Sequence, residues 1–293
     1  MIQVNNLTMA YRSGKGVFDL DFTVKQGEVF GYLGPNGAGK TTTIRNLMGF
    51  SSPDSGSCKI GGYDCQKDAK RIHKNLGYLP GEIAFPNGYT GMGYLKLIGE
   101  LRGMKSTKRR DELIELFELD ARGPVRRMSK GNKQKVGIVA AFMHDPDVYL
   151  LDEPTSGLDP LMQNRFVQLI QSEHARGKTI LLSSHMFEEV ERTCDRVAIL
   201  RDGRLQAVED IRRLRDSRRR TYIVTVGSEL DRVHLFSSGL ACKETSPLCF
   251  EIEVGADYRR FFETLVDCTV LSLDTGAQGL EQMFISYYGE EAK

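Results

Sequence analysis

Residues 29–48 constrain this chain more tightly than any other stretch. The apolar run Val29-Phe30-Gly31-Tyr32-Leu33 leads straight into Gly34-Pro35-Asn36-Gly37-Ala38-Gly39-Lys40-Thr41-Thr42, and Ile44, Leu47 and Met48 follow at helical spacing. A strand joined to a helix by so short a link must turn sharply, and glycines let its N–H groups converge on one point. The pattern G-x-x-x-x-G-K-[ST] is filled by Gly34, Gly39, Lys40 and Thr41. Converging amides, the positive end of the opening helix and the Lys40 ammonium together suit a nucleoside triphosphate. Thr41 adds a hard hydroxyl oxygen for Mg²⁺, which in such loops arrives as the nucleotide complex.

The rest of the chain must supply a core for that strand and partners for that loop. With 293 residues, 40% hydrophobic and 27% charged, it has the composition of one large domain plus a smaller one. A net charge of +1 argues against a protein built mainly to hold a polyanion, so no nucleic acid is expected as a partner. Six scattered cysteines without C-x-x-C spacing fit a reducing cytosol. No run nears the ~18 apolar residues that span a bilayer, so any membrane role must come through a partner.

Alternating residues at 2–11 and 17–24 predict half-buried strands, hence an antiparallel edge before the phosphate loop. From Pro86 to about Pro146 the spacing turns helical, as in Leu113, Leu116, Phe117 and Leu119, which predicts a helical insertion. Strand character returns at 148–151, 179–182 and 197–200, predicting a parallel α/β core. A basic linker at 211–220, rich in arginine, separates this first region, 1–210, from a small α+β region at 221–293.

The strand Val148–Leu151 ends in Asp152 and Glu153, which places two carboxylates at the carboxyl edge of the sheet, where α/β folds bind ligands. Asp152 is suited to hold Mg²⁺ or its water, and Glu153 to orient and deprotonate the water that attacks the γ-phosphate. His185 follows the strand 180–184 and emerges at the same edge as a candidate γ-phosphate contact. Ser129 precedes the apolar helix bearing Val136, Val139 and Phe142, where it can cap the helix or, with Gly131 and free amides, form an anion site.

Taken in order, GPNGAGKTT, MSKGNKQK, VYLLDEP, SGLD and SSH make residues 1–205 resemble the ATP-binding cassette family, in particular the single-cassette ATPase subunits of drug and antibiotic exporters. The tail at 282–289 resembles the end of such subunits. The resemblance implies an ABC cassette of the P-loop NTPase class, with a mixed sheet core, an antiparallel β subdomain and a helical subdomain. It implies ATP and Mg²⁺ as ligands, held by residues 34–42 with Tyr11 stacking on adenine. It also implies that Ser129 and Gly131 reach ATP on a second copy in a head-to-tail dimer, with Asp159 working across that interface. The partner would be a separately encoded membrane permease, and the location the cytoplasmic face of the membrane.

Two departures from the family pattern stand out. Lys130 and Asn132 replace the usual glycine and glutamine of the signature, and Gly81-Glu82 stands where a glutamine normally follows the proline. Glu82 is a candidate substitute oxygen ligand for Mg²⁺. A soluble cassette protein acting on ribosomes or nucleic acid, and a phosphotransferase, are the competing readings. Neither paired cassettes nor long coiled coils favour the first, and the second leaves Ser129 and His185 without a task.

Overall fold

A computed structural model describes residues 1–212, 220–255 and 258–275. Residues 213–219 of the basic stretch and the tail at 282–289 lie outside them. The chain divides into two compact units, Met1–Ile211 and Arg212–Lys293.

The first unit opens with β1 (Ile2–Ala10) and β2 (Gly16–Val24), then β3 (Val29–Leu33), α1 (Lys40–Leu47), β4 (Ser55–Ile60), β5 (Tyr63–Asp64), the short α2 (Ala69–His73) and β6 (Leu76–Leu79). A helical stretch follows: α3 (Gly91–Leu101), α4 (Lys108–Leu116), a 3₁₀ turn at Val125–Arg127 and α5 (Lys130–Phe142). The unit closes with β7 (Val148–Asp152), α6 (Pro160–Ala175), β8 (Thr179–Ser184), α7 (Phe187–Thr193), β9 (Arg196–Arg201) and β10 (Arg204–Asp210).

Two sheets result. One has the order β2-β1-β4-β5 and is antiparallel throughout. The other runs β10-β9-β3-β8-β7-β6, parallel except for the antiparallel edge strand β10. β3 is buried along its whole length between β8 and β9, which is why it reads as an unbroken apolar run. α1 is packed into one core with both sheets: Ile44 and Leu47 join Leu7 and Leu20 on one side and Phe30, Leu150 and Leu181 on the other. The phosphate loop is thereby fixed from both ends.

Helix starts follow local chemistry. Thr90 caps α3 by accepting the Gly93 N–H at 3.0 Å, and Asp159 caps α6, whose first residue is Pro160. α4 is fastened to α6 through Glu173, which is fully buried and pairs with Arg109, with Arg176 at 2.9 Å and with the Tyr149 hydroxyl at 3.2 Å.

The second unit runs β11 (Arg220–Val226), α8 (Glu229–Ser237), β12 (Ala241–Ser246), β13 (Cys249–Val254), α9 (Arg259–Val266) and β14 (Val270–Thr275). Its sheet order, β12-β13-β11-β14, is antiparallel throughout. This β-α-β-β-α-β order is the ferredoxin-like split βαβ arrangement. Val224, Phe250, Ile252, Leu235 and Phe261 form a core of its own.

Candidate functional site

Strand β3 delivers the chain into the loop at Gly34, and α1 begins at Lys40. Gly39, the residue before the helix, has φ of 104°, and a Cβ there would stand 2.6 Å from Val17 Cγ1. Only glycine meets both demands, so this turn is set by the residue type. Lys40 is 5% exposed. Its ammonium donates to the Gly34 carbonyl at 2.6 Å and the Pro35 carbonyl at 3.2 Å, and pairs with Glu153 Oε1 at 2.9 Å.

Asp152 closes β7 in full burial. Thr41 Oγ1 donates to its Oδ2 at 2.7 Å, and Ser183 Oγ donates to its Oδ1 at 2.5 Å. Two hard oxygens, one anionic, therefore meet beside the loop, a donor pair that suits Mg²⁺ and leaves its other positions to phosphate and water. Among the described residues no cluster of three or more His, Cys, Asp or Glu forms a separate metal cage. Glu153 takes the left-handed conformation with φ of 48°, a strained choice for a residue with a side chain. Ser183 secures that turn, because its hydroxyl accepts the Glu153 N–H at 3.0 Å. The strained backbone throws the carboxylate between Lys40 and His185, whose Nδ1 lies 2.6 Å from Oε2.

Two adjoining cavities flank this cluster. A smaller one, about 300 Å³, is lined by Tyr11, Asn36, Gly37, Thr41 and Thr42. Tyr11 lies just past the end of β1, is 42% exposed, and its hydroxyl is 3.5 Å from Thr42 Oγ1. It is an open aromatic face above the loop and not a buried strand tyrosine. The larger cleft, about 720 Å³, is lined by Thr41, Glu82, Lys130, Asp152, Glu153 and His185 among others. Tyr78 also faces it, its phenol pushed up to about 12 by burial and by the Asp152 charge.

Ser129, Gly131 and Asp159 line neither cavity. Within one chain they do local work. The Ser129 hydroxyl accepts the Asn132 N–H at 3.2 Å as the cap of α5, and Asp159 accepts the Met162 N–H at 3.0 Å. A Cβ on Gly131 would stand 2.7 Å from the Gly157 carbonyl, so the signature helix and the loop after Glu153 lie in direct contact.

A family model described as "ABC transporter" matches residues 17–156. The linearmycin resistance ATP-binding protein of Bacillus subtilis is 36% identical over 213 residues, spanning 71% of this chain and 68% of that one. The chain belongs to the ABC transporter family. The bacitracin transport ATP-binding protein of Bacillus licheniformis is 38% identical over 208 residues, 70% of this chain and 68% of its own. A solved structure titled as the ATP binding subunit of an ABC transporter superposes with a TM-score of 0.67 at 32% identity, covering 73% of this chain and 92% of that one.

Seen as an ABC cassette, the chain's departures acquire a geometry. A Cβ at Gly81 would lie 3.3 Å from Asp152 Oδ2, so the backbone at this position leans on the carboxylate and any side chain here would crowd it by a few tenths of an ångström. Glu82 is exposed in the same cleft. The Lys130 ammonium donates to Ser156 Oγ at 3.0 Å, tying the altered signature to the loop after Glu153. Sequence reading missed Ser183, although a serine pair ending the apolar strand Ile180–Leu182 marks the site. It also missed Gln134, 3% exposed, whose amide donates to the Pro154 carbonyl at 2.7 Å and holds α5 against the same loop.

Proposed function

We propose that the chain is the ATP-hydrolysing subunit of an exporter of an antibiotic-like or lipid-like compound, working with a separately encoded membrane permease. The observation that carries this reading is the Glu153 carboxylate, held between Lys40 and His185 at the mouth of the phosphate loop, beside the Asp152–Thr41 pair. The relatives named for linearmycin resistance and bacitracin transport support export over a soluble factor.

In this reading residues 34–42 wrap the triphosphate, Lys40 trades its loop carbonyls for phosphate oxygens, and Tyr11 offers its face to adenine. Thr41 and Asp152 would hold the Mg²⁺ that comes with the nucleotide, with Glu82 on the same cleft as a further candidate ligand, and the ion would supply charge neutralisation on the phosphates. Glu153 orients a water, takes its proton and passes no covalent bond of its own. His185, bonded to the same carboxylate, fixes it and faces the γ-phosphate. A second copy supplies Ser129 and Gly131 from its α5, and Asp159 from the start of its α6.

The permease fits a groove of about 1070 Å³ between α3, α5 and the β6 edge, lined by Leu76, Ile83, Tyr94, Ile98 and Arg102 among others. Phe50, Tyr78 and Pro80 line both this groove and the cleft of Asp152 and Glu153. A helix seated in the groove thus presses on residues that face the hydrolytic site. No described helix is long and apolar enough to cross a membrane.

Glu153→Gln tests the reading. Hydrolysis by the purified chain should fall by at least about a hundredfold while ATP affinity stays within about twofold, because the amide keeps its shape but accepts no proton. Turnover at the wild-type rate would remove Glu153 from its role.

A further inference from the structure

The left-handed backbone of Glu153 persists only where its surroundings fix it from several sides. Ser183 holds the N–H side. The next residue, Pro154, has no N–H, so the turn has one backbone donor fewer with which to hold itself. The Ser156 N–H takes the Glu153 carbonyl at 3.1 Å, and the Pro154 carbonyl is met from outside the loop. Its partner is the amide of Gln134 on α5, which donates at 2.7 Å and lies 3.4 Å from the Glu153 carbonyl as well. Lys130 and Gly131, one turn earlier, share that helix face. Lys130 donates to Ser156 Oγ, and Gly131 lies against the Gly157 carbonyl. α5 therefore meets the loop 153–157 at successive points, and Gln134 is the buried one beside Glu153.

We propose that Gln134 is a positioning residue for ATP hydrolysis: its buried amide holds the peptide units that follow the strained Glu153, and so makes the aim of that carboxylate depend on where α5 stands. This role rests on the hydrolytic role of Glu153 given above. Burying an amide costs free energy unless its hydrogen bonds are made, and a methionine of similar length would fill the same space without that cost. The glutamine is understandable where carbonyls of a strained turn need a donor that the turn itself lacks.

The position of Gln134 on its helix gives the role a signature. α5 opens with the cap Ser129 and with Gly131, the residues assigned above to ATP on a second copy. Whatever seats the start of α5 is then felt, through one amide, at the Glu153 of the same chain. Removing that amide should leave α5 able to meet the second copy and leave the loop at 34–42 able to hold ATP. What it removes is the hold of α5 on Glu153.

The test is steady-state ATPase kinetics of the full chain, as wild type, Glu153→Gln and Gln134→Met, each read well below its melting temperature. Gln134→Met keeps length and burial and removes the donor. Its kcat should fall about tenfold while KM for ATP stays within about twofold of wild type. In a Glu153→Gln background, Gln134→Met should leave ATP-dependent dimerisation unchanged in sedimentation velocity. A purely packing role would lower the melting temperature and keep kcat of the folded chain at the wild-type value, and that result overturns the positioning role. So does a KM that rises in step with the loss of kcat, or a dimer that weakens with it. Should Gln134→Met not fold, Gln134→Glu keeps the shape, sets an acceptor against the same carbonyls, and should show the same split between kcat and KM. A wild-type rate for Glu153→Gln overturns the hydrolytic reading itself, whereas an inactive Glu153→Gln beside a fully active Gln134→Met overturns the role of Gln134 alone.

Discussion

Lys40 has three hydrogens to donate, and the Gly34 carbonyl, the Pro35 carbonyl and Glu153 face them. A triphosphate must compete with these partners, so the lysine contributes through the difference between phosphate and carbonyl, not through a full free charge. Lys40→Ala should weaken ATP binding by at least about tenfold, the scale of one charge-assisted hydrogen bond, as isothermal titration would read. Equal affinity would refute the phosphate role. Ser183 is a second case in which one atom serves two residues: its hydroxyl donates to Asp152 and accepts from the strained Glu153 backbone. Ser183→Ala leaves a buried Asp152 oxygen short of a donor, while the Glu153 N–H keeps only the Ser183 carbonyl at 3.2 Å, at a cost of about 1–3 kcal/mol. The expected result is a fall in kcat larger than the rise in KM for ATP, because the Glu153 turn relaxes while the loop at 34–42 stays intact. A fall confined to KM would show that Ser183 serves the metal side alone.

At the scale of elements, legibility followed burial. β3, β7 and β8 sit inside the sheet, covered on both faces, so each reads as an apolar run whose polar end marks the ligand edge. β6 and β10 are the two edges of that sheet, short or half-buried, and Arg204–Asp210 carries charges that mask its strand character. α3, α4 and α5 lie within 86–146, where helical spacing predicts an insertion, and α5 also packs back on β6, because Gly137 lets the side chains of Leu79 and Ile83 approach closely. Glu173 was illegible for a different reason. On α6 it reads as a solvent-facing acid, and only Arg109, arriving from α4, turns it into a buried anchor. Glu173→Ala should lower stability by about 3 kcal/mol, since it removes the anion that Arg109 and the buried Tyr149 hydroxyl share, although Arg176 keeps its pair with Asp145 at 2.7 Å. Arg109→Ala should cost less, because that side chain is 28% exposed and water can replace part of the pair. Thermal or urea melts of the two variants give the order, and the reverse order would place the anchor elsewhere.

For the whole molecule, the decisive question is what a second copy would add to the proposed ATP site. Of the residues expected to hold ATP from the same copy, Tyr11, Pro35, Asn36, Gly37, Gly39, Lys40, Thr41, Thr42, Asp152, Glu153 and His185 line two adjoining cavities, while Gly34 and Ala38 line neither. Ser129 was expected at ATP as well, yet it lines neither cavity and spends its hydroxyl on the Asn132 N–H. Within one chain it is a helix cap, and a role at ATP requires a second copy. The two roles separate by substitution. Glycine is almost as good a cap as serine, so Ser129→Gly should cost only about a few tenths of a kcal/mol in the helix while deleting the hydroxyl. In a Glu153→Gln background, where bound ATP persists, Ser129→Gly should leave ATP affinity of the monomer unchanged and weaken ATP-dependent dimerisation by at least about tenfold in sedimentation velocity. An undiminished dimer would leave Ser129 a cap and nothing more, and the second copy would have to complete the site through Gly131 and Asp159 alone.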